Sequence, residues 1–442
     1  MRARLDATSP QSSDVAWTVA ATLLSGALQL LLLAFLARVL TPAELGLIAI
    51  ANVVIAFALL MSDCGISNFV IYARTLSTLQ QSSLYWFSLC LGLFAGIIVA
   101  LVAPLLARFY AAPELDLLLY LAAAIFPVFT AGAQFQAQLS KRLLLGRVAR
   151  IEMLSRCVAF SSAVLLASTG FGASSFVLGQ LAGAAVRSLA MFMVCRGYWR
   201  PRPEFDPRAL KPALRFAGFN TSGQLINRLA ADIDVLLIGR LLDVGSLGIY
   251  SLAKELAFGI LRLLTTVTSR VGIPMLAALQ ADADALTRDF TRLLDVVSAS
   301  AATLFAALIL LSPWLIPQLY GESYEEVTLV FSLLSVIACL RSLGSVHGVL
   351  IVATGRVHLD LAWNLLVVAI TTPAIYLAAL EGLDAVLFVM LAAQMTLYVA
   401  AYPLLLRGAV SMSFVRFLGQ FAVAFALTHA AVIIAQTFRG PG

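Results

Sequence analysis

The sequence predicts an all-α integral membrane protein made of two six-helix bundles related by an internal repeat. Three observations predict it. Of 442 residues, 61% are hydrophobic and only 12% charged, with a mean hydropathy of +0.97, whereas soluble domains carry about 25% charged residues. Apolar segments of about 20 residues, the length that crosses a bilayer core of about 30 Å, follow one another along the chain. A short motif also recurs at a fixed offset: Arg38-Val39-Leu40, Leu45-Gly46 and Ala51 reappear as Arg240-Leu241-Leu242, Leu247-Gly248 and Ala253, about 202 residues on. An offset near half the chain length marks two copies of one building block. Membrane carriers often place their substrate site between such repeats.

Taken in order, the first half offers spans at Ala16–Arg38, Leu45–Ser62, Leu84–Leu106, Leu117–Gln138, Ile151–Ser168 and Ala173–Cys195. The second half offers Phe216–Ile238, Gly248–Val267, Leu293–Pro317, Thr328–Ile351, His358–Leu380 and Ala385–Leu406. That gives about 12 crossings. Phe414–Thr437 is a further apolar stretch, readable as a thirteenth span or as a helix lying in the interface. The implied organisation is an N-terminal lobe over 1–195, a linker over 196–215, a C-terminal lobe over 216–406 and a tail over 407–442. The linker is polar, basic and holds Pro201, Pro203, Pro207 and Pro212, which reads as a solvated loop that touches anionic lipid heads.

Orientation follows from the basic residues, which concentrate in cytoplasmic loops. Arg2 and Arg4 precede the first span, Lys141, Arg142, Arg147 and Arg150 follow the fourth, and Arg196, Arg200, Arg202, Arg208 and Lys211 follow the sixth. Loops of the opposite parity carry Glu44, Glu114, Asp116, Asp243, Glu322, Glu325, Glu326, Glu381 and Asp384. The N-terminus is therefore expected in the cytoplasm. The first segment is too long for a removable signal peptide and lacks its small-residue cleavage site.

Several chemistries are excluded or disfavoured. The five cysteines are dispersed, with no CxxC pair and no nearby histidine, so neither a metal site nor a disulfide framework is expected. Lysine occurs only at Lys141, Lys211 and Lys254, preceded by Ser140, Leu210 and Ala253; the Gly-Lys pair of a phosphate-cradling Walker loop is absent. Enzymes of membrane glycan assembly need a sizeable polar loop for catalytic carboxylates, and none is present. The chain reads as a carrier, not an enzyme, and no resident cofactor is expected.

The seventh span has one polar wall. At 100° per residue, Asn220, Gln224, Asn227, Arg228 and Asp234 fall within an arc of about 120°, with Asp232 about 40° beyond it. Ionisable groups inside a span are costly unless they face a partner or water, so the wall marks a cavity. A competing reading is helix glue, with Arg228 and Asp232 paired one turn apart. The repeat favours the cavity: the same offset places Thr18, Thr22, Ser25 and Gln29 along the first span. Lys254, Glu255 and Arg262 lie in the eighth span, Arg156 and Arg187 in the fifth and sixth, and Arg341 in the tenth. Arginine grips phosphate through two parallel hydrogen bonds, so this set suggests an anionic, phosphorylated substrate. Asp232, Asp234 and Glu255 are candidates for coupling to a proton or sodium ion.

The run Leu36-Ala-Arg-Val-Leu-Thr-Pro-Ala-Glu-Leu-Gly46, then Asp63-Cys-Gly-Ile-Ser-Asn68 and Leu84-Tyr-Trp-Phe87, resembles the polysaccharide transport family (Wzx-type oligosaccharide flippases) of the multidrug/oligosaccharidyl-lipid/polysaccharide (MOP) exporter superfamily. So does Asn227 with Asp234-Val-Leu-Leu-Ile-Gly-Arg240 and Leu247-Gly-Ile-Tyr-Ser-Leu-Ala253, nearest in pattern to the colanic-acid-exporter type. The resemblance implies two six-helix bundles in a V shape, alternately open to either side. It implies movement of a polyprenyl-diphosphate-linked oligosaccharide across the bacterial inner membrane, with the first, second, seventh and eighth spans lining the cavity. Partners implied are the lipid-linked substrate, membrane lipids and a polysaccharide polymerase downstream; nucleic acid is not among them. Two alternatives stand beside this reading: a drug/cation antiporter of the same superfamily, and a membrane component or polymerase of a glycan assembly complex.

Overall fold

A computed structural model describes residues 12–73 and 75–437, without the side chains of 12–16, 18–23, 209, 216–220, 222, 323, 357 and 358. Fifteen α-helices follow in order among them: α1 (Ser12–Val39), α2 (Pro42–Asp63), α3 (Ile66–Tyr72), α4 (Thr78–Phe109), α5 (Glu114–Ala123), α6 (Ile125–Lys141), α7 (Leu145–Ser168), α8 (Ser174–Cys195), α9 (Leu210–Leu241), α10 (Val244–Ala277), α11 (Ala283–Tyr320), α12 (Glu326–Ala353), α13 (Val357–Ala379), α14 (Leu383–Ala401) and α15 (Phe414–Thr437). A π-helical turn at Tyr402–Leu406 extends α14. Eleven spans among the described residues are long and apolar enough to cross a membrane, one of them formed by α5 and α6 together. The remaining long helices, α1 with 28 residues and α9 with 32, measure about 42 and 48 Å at 1.5 Å per residue, also enough to cross. Each expected span is thus helical, and most run a turn or more further than apolar residues alone indicated. The chain is an all-α, multi-pass membrane protein.

Two local features were not foreseen. Pro127 lacks an N–H, and its ring crowds the carbonyl of Ala123, so the fourth crossing breaks into α5 and α6 at Ala124. The chain leaves α2 through two left-handed residues, Cys64 at φ 47° and Gly65 at φ 71°, and enters the short helix α3. Ser67 Oγ donates to Asp63 Oδ1 across this turn at 2.5 Å.

The chain divides into two compact units, one comprising residues 1–40 and 47–228, the other 41–46 and 229–442. The division falls inside α9, beyond the 196–215 stretch where the sequence placed the junction. That stretch is strapped onto α4: Trp86 Nε1 donates to the Arg202 carbonyl at 2.7 Å, while Ser82 Oγ and Ser83 Oγ accept from the amides of Arg202 at 3.0 Å and Asp206 at 2.8 Å. Trp199 is buried beside Tyr85, Phe135 and Met191.

In the first unit, α7 and α8 meet along small residues. A Cβ on Gly179 would lie 2.7 Å from the Ala159 carbonyl oxygen, and Ser155 Oγ donates to the Gly183 carbonyl at 3.0 Å. Close backbone approach of this kind is how helices associate where lipid supplies no hydrophobic drive.

The second unit is built around α12, most of whose residues are buried, as fits a central helix. α15 lies along α11 and runs parallel to it. Ser298 Oγ donates to the Gln420 carbonyl at 3.4 Å, and further along both helices Ile309 packs with Ala431, Val432 and Ala435. Helices that cross alternately return to one direction every second span, so α15 fits a thirteenth crossing in register with the ninth.

The repeated motif meets its own copy in this unit. A Cβ on Gly46 would sit 1.8 Å from the Val244 carbonyl oxygen, and a Cβ on Gly248 would sit 1.9 Å from that of Pro42. With the offset of about 202, Pro42 corresponds to Val244 and Gly46 to Gly248, so the contact is reciprocal. The caps correspond too. Thr41 N donates to Glu44 Oε2 at 2.9 Å and Glu44 N to Thr41 Oγ1 at 3.3 Å; Ser246 N donates to Asp243 Oδ1 at 2.9 Å.

Candidate transport site

The best-formed polar constellation lies in the second unit. On α10, Tyr250, Lys254 and Phe258 recur every four residues and therefore share a face. Asp234, near the end of α9, is buried to 5% exposure and accepts four hydrogen bonds from three donors. These are Lys254 Nζ at 2.7 Å on Oδ1 and 2.8 Å on Oδ2, the Val235 amide at 2.8 Å, and the Tyr250 hydroxyl. Lys254 Nζ also donates to the Ala231 carbonyl at 2.8 Å. α12 and α14 contribute Arg341, whose guanidinium lies 5.0 Å from the Phe258 ring centre and whose Nε donates to Gln394 Oε1 at 3.3 Å. Asp232 is buried at 9% exposure on α9. Glu255 and Arg262, also expected in the site, form an ion pair along α10.

A second constellation lies in the first unit. Arg187 Nη2 on α8 donates to Gln136 Oε1 on α6, and Gln136 Nε2 donates to Glu152 Oε1 on α7 at 2.8 Å. The Arg187 guanidinium lies 4.5 Å from the Phe129 ring centre. Asp63 and Glu152 are the opposite charges that reach it, and Arg156 the like charge. Its Nη1 is buried without a hydrogen-bond partner among the described residues, as are both amide atoms of Gln134.

Along the polar wall of α9, Asn227 is exposed and Gln224 and Arg228 are half-buried; on α1, Ser25 is half-buried and Gln29 exposed. The side chains of Thr18 and Asn220 lie outside the described residues. Direct hydrogen bonds join Lys254 to Asp234 and Arg262 to Glu255, whereas Arg187 and Arg341 are held by glutamines. Sequence reasoning missed Gln136, Glu152, Tyr250 and Gln394. A signal for the first existed in the alternation Gln134-Phe135-Gln136-Ala137-Gln138, three amides inside one span. No group of three His, Cys, Asp or Glu side chains able to hold a metal ion occurs among the described residues. A separate cavity of about 920 Å³, lined by Met395, Val399, Tyr402, Arg407, Phe414 and Phe421 among others, contains none of the expected site residues.

The class this fold defines is a multi-pass helical membrane protein that buries an ion pair and amide side chains within its spans. The chain belongs to the family described as polysaccharide biosynthesis protein, which matches residues 35–329. It is 30% identical over 358 residues to the amylovoran biosynthesis protein AmsL of Erwinia amylovora, covering 80% of this chain and 92% of that one. It is 28% identical over 423 residues to the lipopolysaccharide biosynthesis protein WzxC of Escherichia coli, covering 96% of this chain and 86% of the other. Among solved structures, the inward closed conformation of the lipid II flippase MurJ matches with a TM-score of 0.67 at 13% identity, over 94% of this chain and 97% of that one. That likeness is one of fold, and it is the MOP-type transporter fold the sequence led us to expect.

Proposed function

We propose that the chain is a flippase that carries a polyprenyl-diphosphate-linked oligosaccharide from the cytoplasmic to the periplasmic leaflet of a bacterial inner membrane, supplying repeat units for polysaccharide assembly. The observation that carries this reading is family membership over most of the chain's length, with relatives named for polysaccharide biosynthesis, on the fold of a lipid II flippase. The polar groups support it. A polyprenyl tail stays in lipid while diphosphate and sugars need hydrogen-bonding surface. Asn227, Gln224 and Arg228 on α9 supply such a surface, and the buried Nη1 of Arg187, unpartnered among the described residues, is a donor suited to a phosphate oxygen.

Transport in this direction needs no ATP. A diphosphate carries about two negative charges, and moving each outward across an inside-negative membrane releases about 2.3 kcal/mol per 100 mV, roughly 4 to 5 kcal/mol in all. A downstream polymerase that consumes the flipped unit adds a further pull. The distribution of arginine supports a cytoplasmic N-terminus.

In cells lacking the chain, diphosphate-linked repeat units are expected to accumulate where a membrane-impermeant sugar-oxidising reagent applied from outside cannot reach them. Re-expression is expected to restore access. Units equally accessible in both strains would remove the flippase reading and favour a role in assembly after translocation.

A further inference from the structure

Lys254 presents three N–H donors to three acceptor contacts: Asp234 Oδ1 at 2.7 Å, Asp234 Oδ2 at 2.8 Å and the Ala231 carbonyl at 2.8 Å. An ammonium has no further donors, so its hydrogen-bonding capacity is filled. The Tyr250 hydroxyl closes the far carboxylate oxygen. The rings of Tyr250 and Phe258 are each centred 5.9 Å from Nζ. Both charged side chains are nearly shut off from solvent, at 12% exposure for Lys254 and 7% for Asp234. Remove the ammonium, and what remains is a buried carboxylate and a backbone carbonyl facing one small space, with the Tyr250 hydroxyl bonded to the carboxylate. Hard cations are held by oxygen sets of this kind.

We propose that Lys254 is a tethered cation, its ammonium standing in an oxygen pocket that would otherwise take a sodium-sized ion, so that the chain itself neutralises Asp234 and no exchangeable ion is needed there. Asp234 then leaves the group of coupling candidates. Flipping runs on membrane potential and product removal without a sodium or proton stoichiometry at this position. The other charged groups packed around the pocket are Arg341, held by Gln394, and Asp232 on α9, and both stay in place when Lys254 is changed.

The pocket is latent, so a substitution should expose it. The full-length protein in nanodiscs is melted in sodium, lithium or potassium chloride against choline chloride at equal ionic strength. Wild type is expected to be indifferent to the choice of cation. Lys254→Ala is expected to gain a sodium-dependent rise in melting temperature of at least ~2 °C at saturating ion, since a ligand that binds only the folded state stabilises it. The double variant Lys254→Ala with Asp234→Asn, which removes the remaining charge, is expected to be indifferent again, and Lys254→Arg to behave as wild type. A folded Lys254→Ala with no preference among the cations would overturn the proposal. So would a wild type whose stabilisation by sodium disappears in Asp234→Asn; that comparison can overturn the proposal even if Lys254→Ala cannot be purified. The readout involves no transported substrate, so a failure here is distinguishable from a failure of the flippase reading.

Discussion

Removing one partner of the Asp234–Lys254 pair strands the other in a dry site. Asp234→Ala leaves an ammonium with only the Ala231 carbonyl for company, a loss expected to cost about 3–5 kcal/mol. Adding Lys254→Met, which removes the stranded charge, is expected to recover most of it. Thermal unfolding of the single and double variants checks this, and a Lys254→Met change that deepens the loss would show the pair is not the source of the penalty. Arg187 offers a second test at this scale. Lysine keeps the charge but lacks the planar fork that reaches Gln136 while lying over Phe129, so Arg187→Lys is expected to fold yet flip at least about tenfold more slowly. A wild-type rate would mean that charge alone suffices. The sequence revealed these cations and acids but not their partners. Gln136, Glu152 and Arg187 sit on three different helices, and Lys254 reaches back across 20 residues to Asp234. Spacing along one helix carries no record of such pairings.

Helices, by contrast, were largely legible. Each span declared itself by roughly 20 apolar residues, and the ends moved outward because polar turns at the interface remain helical. Helix α3 and the break at Ala124 escaped notice, since the first is only seven residues long and the second depends on one proline within an apolar run. The duplicated Leu-Gly motif was visible as a repeat, while its meaning as a contact was not. Gly46→Val and Gly248→Val each drive a side chain into a carbonyl oxygen and are expected to destabilise the second unit. Because both act at one crossing, the double variant is expected to cost clearly less than the sum; strict additivity in melting experiments would indicate two independent sites. The cap beside this crossing has a pH signature. Partial burial pushes the Asp243 carboxyl up, but hydrogen bonds from the Ser246 side chain and amide and the Gly245 amide outweigh it and hold the group below the usual carboxylate range. A lowered folded value means the cap's stabilisation is present above the unfolded pKa of about 4 and fades as pH falls through the folded value. Asp243→Ala is accordingly expected to cost about 1 kcal/mol at pH 7 and progressively less below pH of about 4. A difference from wild type that stays constant down to about pH 2 would contradict the assignment.

For the molecule as a whole, thirteen crossings with the proposed cytoplasmic N-terminus would place Thr437, the end of α15, on the periplasmic side. A fusion after Thr437 is expected to activate a reporter that works only outside, and a fusion at Arg407, before α15, only one that works inside. Identical behaviour of the two would return α15 to the interface. Family membership and the crossing pattern converge on a carrier of lipid-linked glycan, and the most direct measurement is flipping itself. Proteoliposomes containing a fluorescent polyprenyl-diphosphate oligosaccharide and the purified chain are followed with and without an imposed potential, wild type beside Arg228→Ala. The expected result is protein-dependent flipping that accelerates when the receiving side is made positive and slows markedly in the variant. No movement of any diphosphate-linked glycan, with a cationic dye carried instead, would contradict the flippase and identify a drug/cation antiporter.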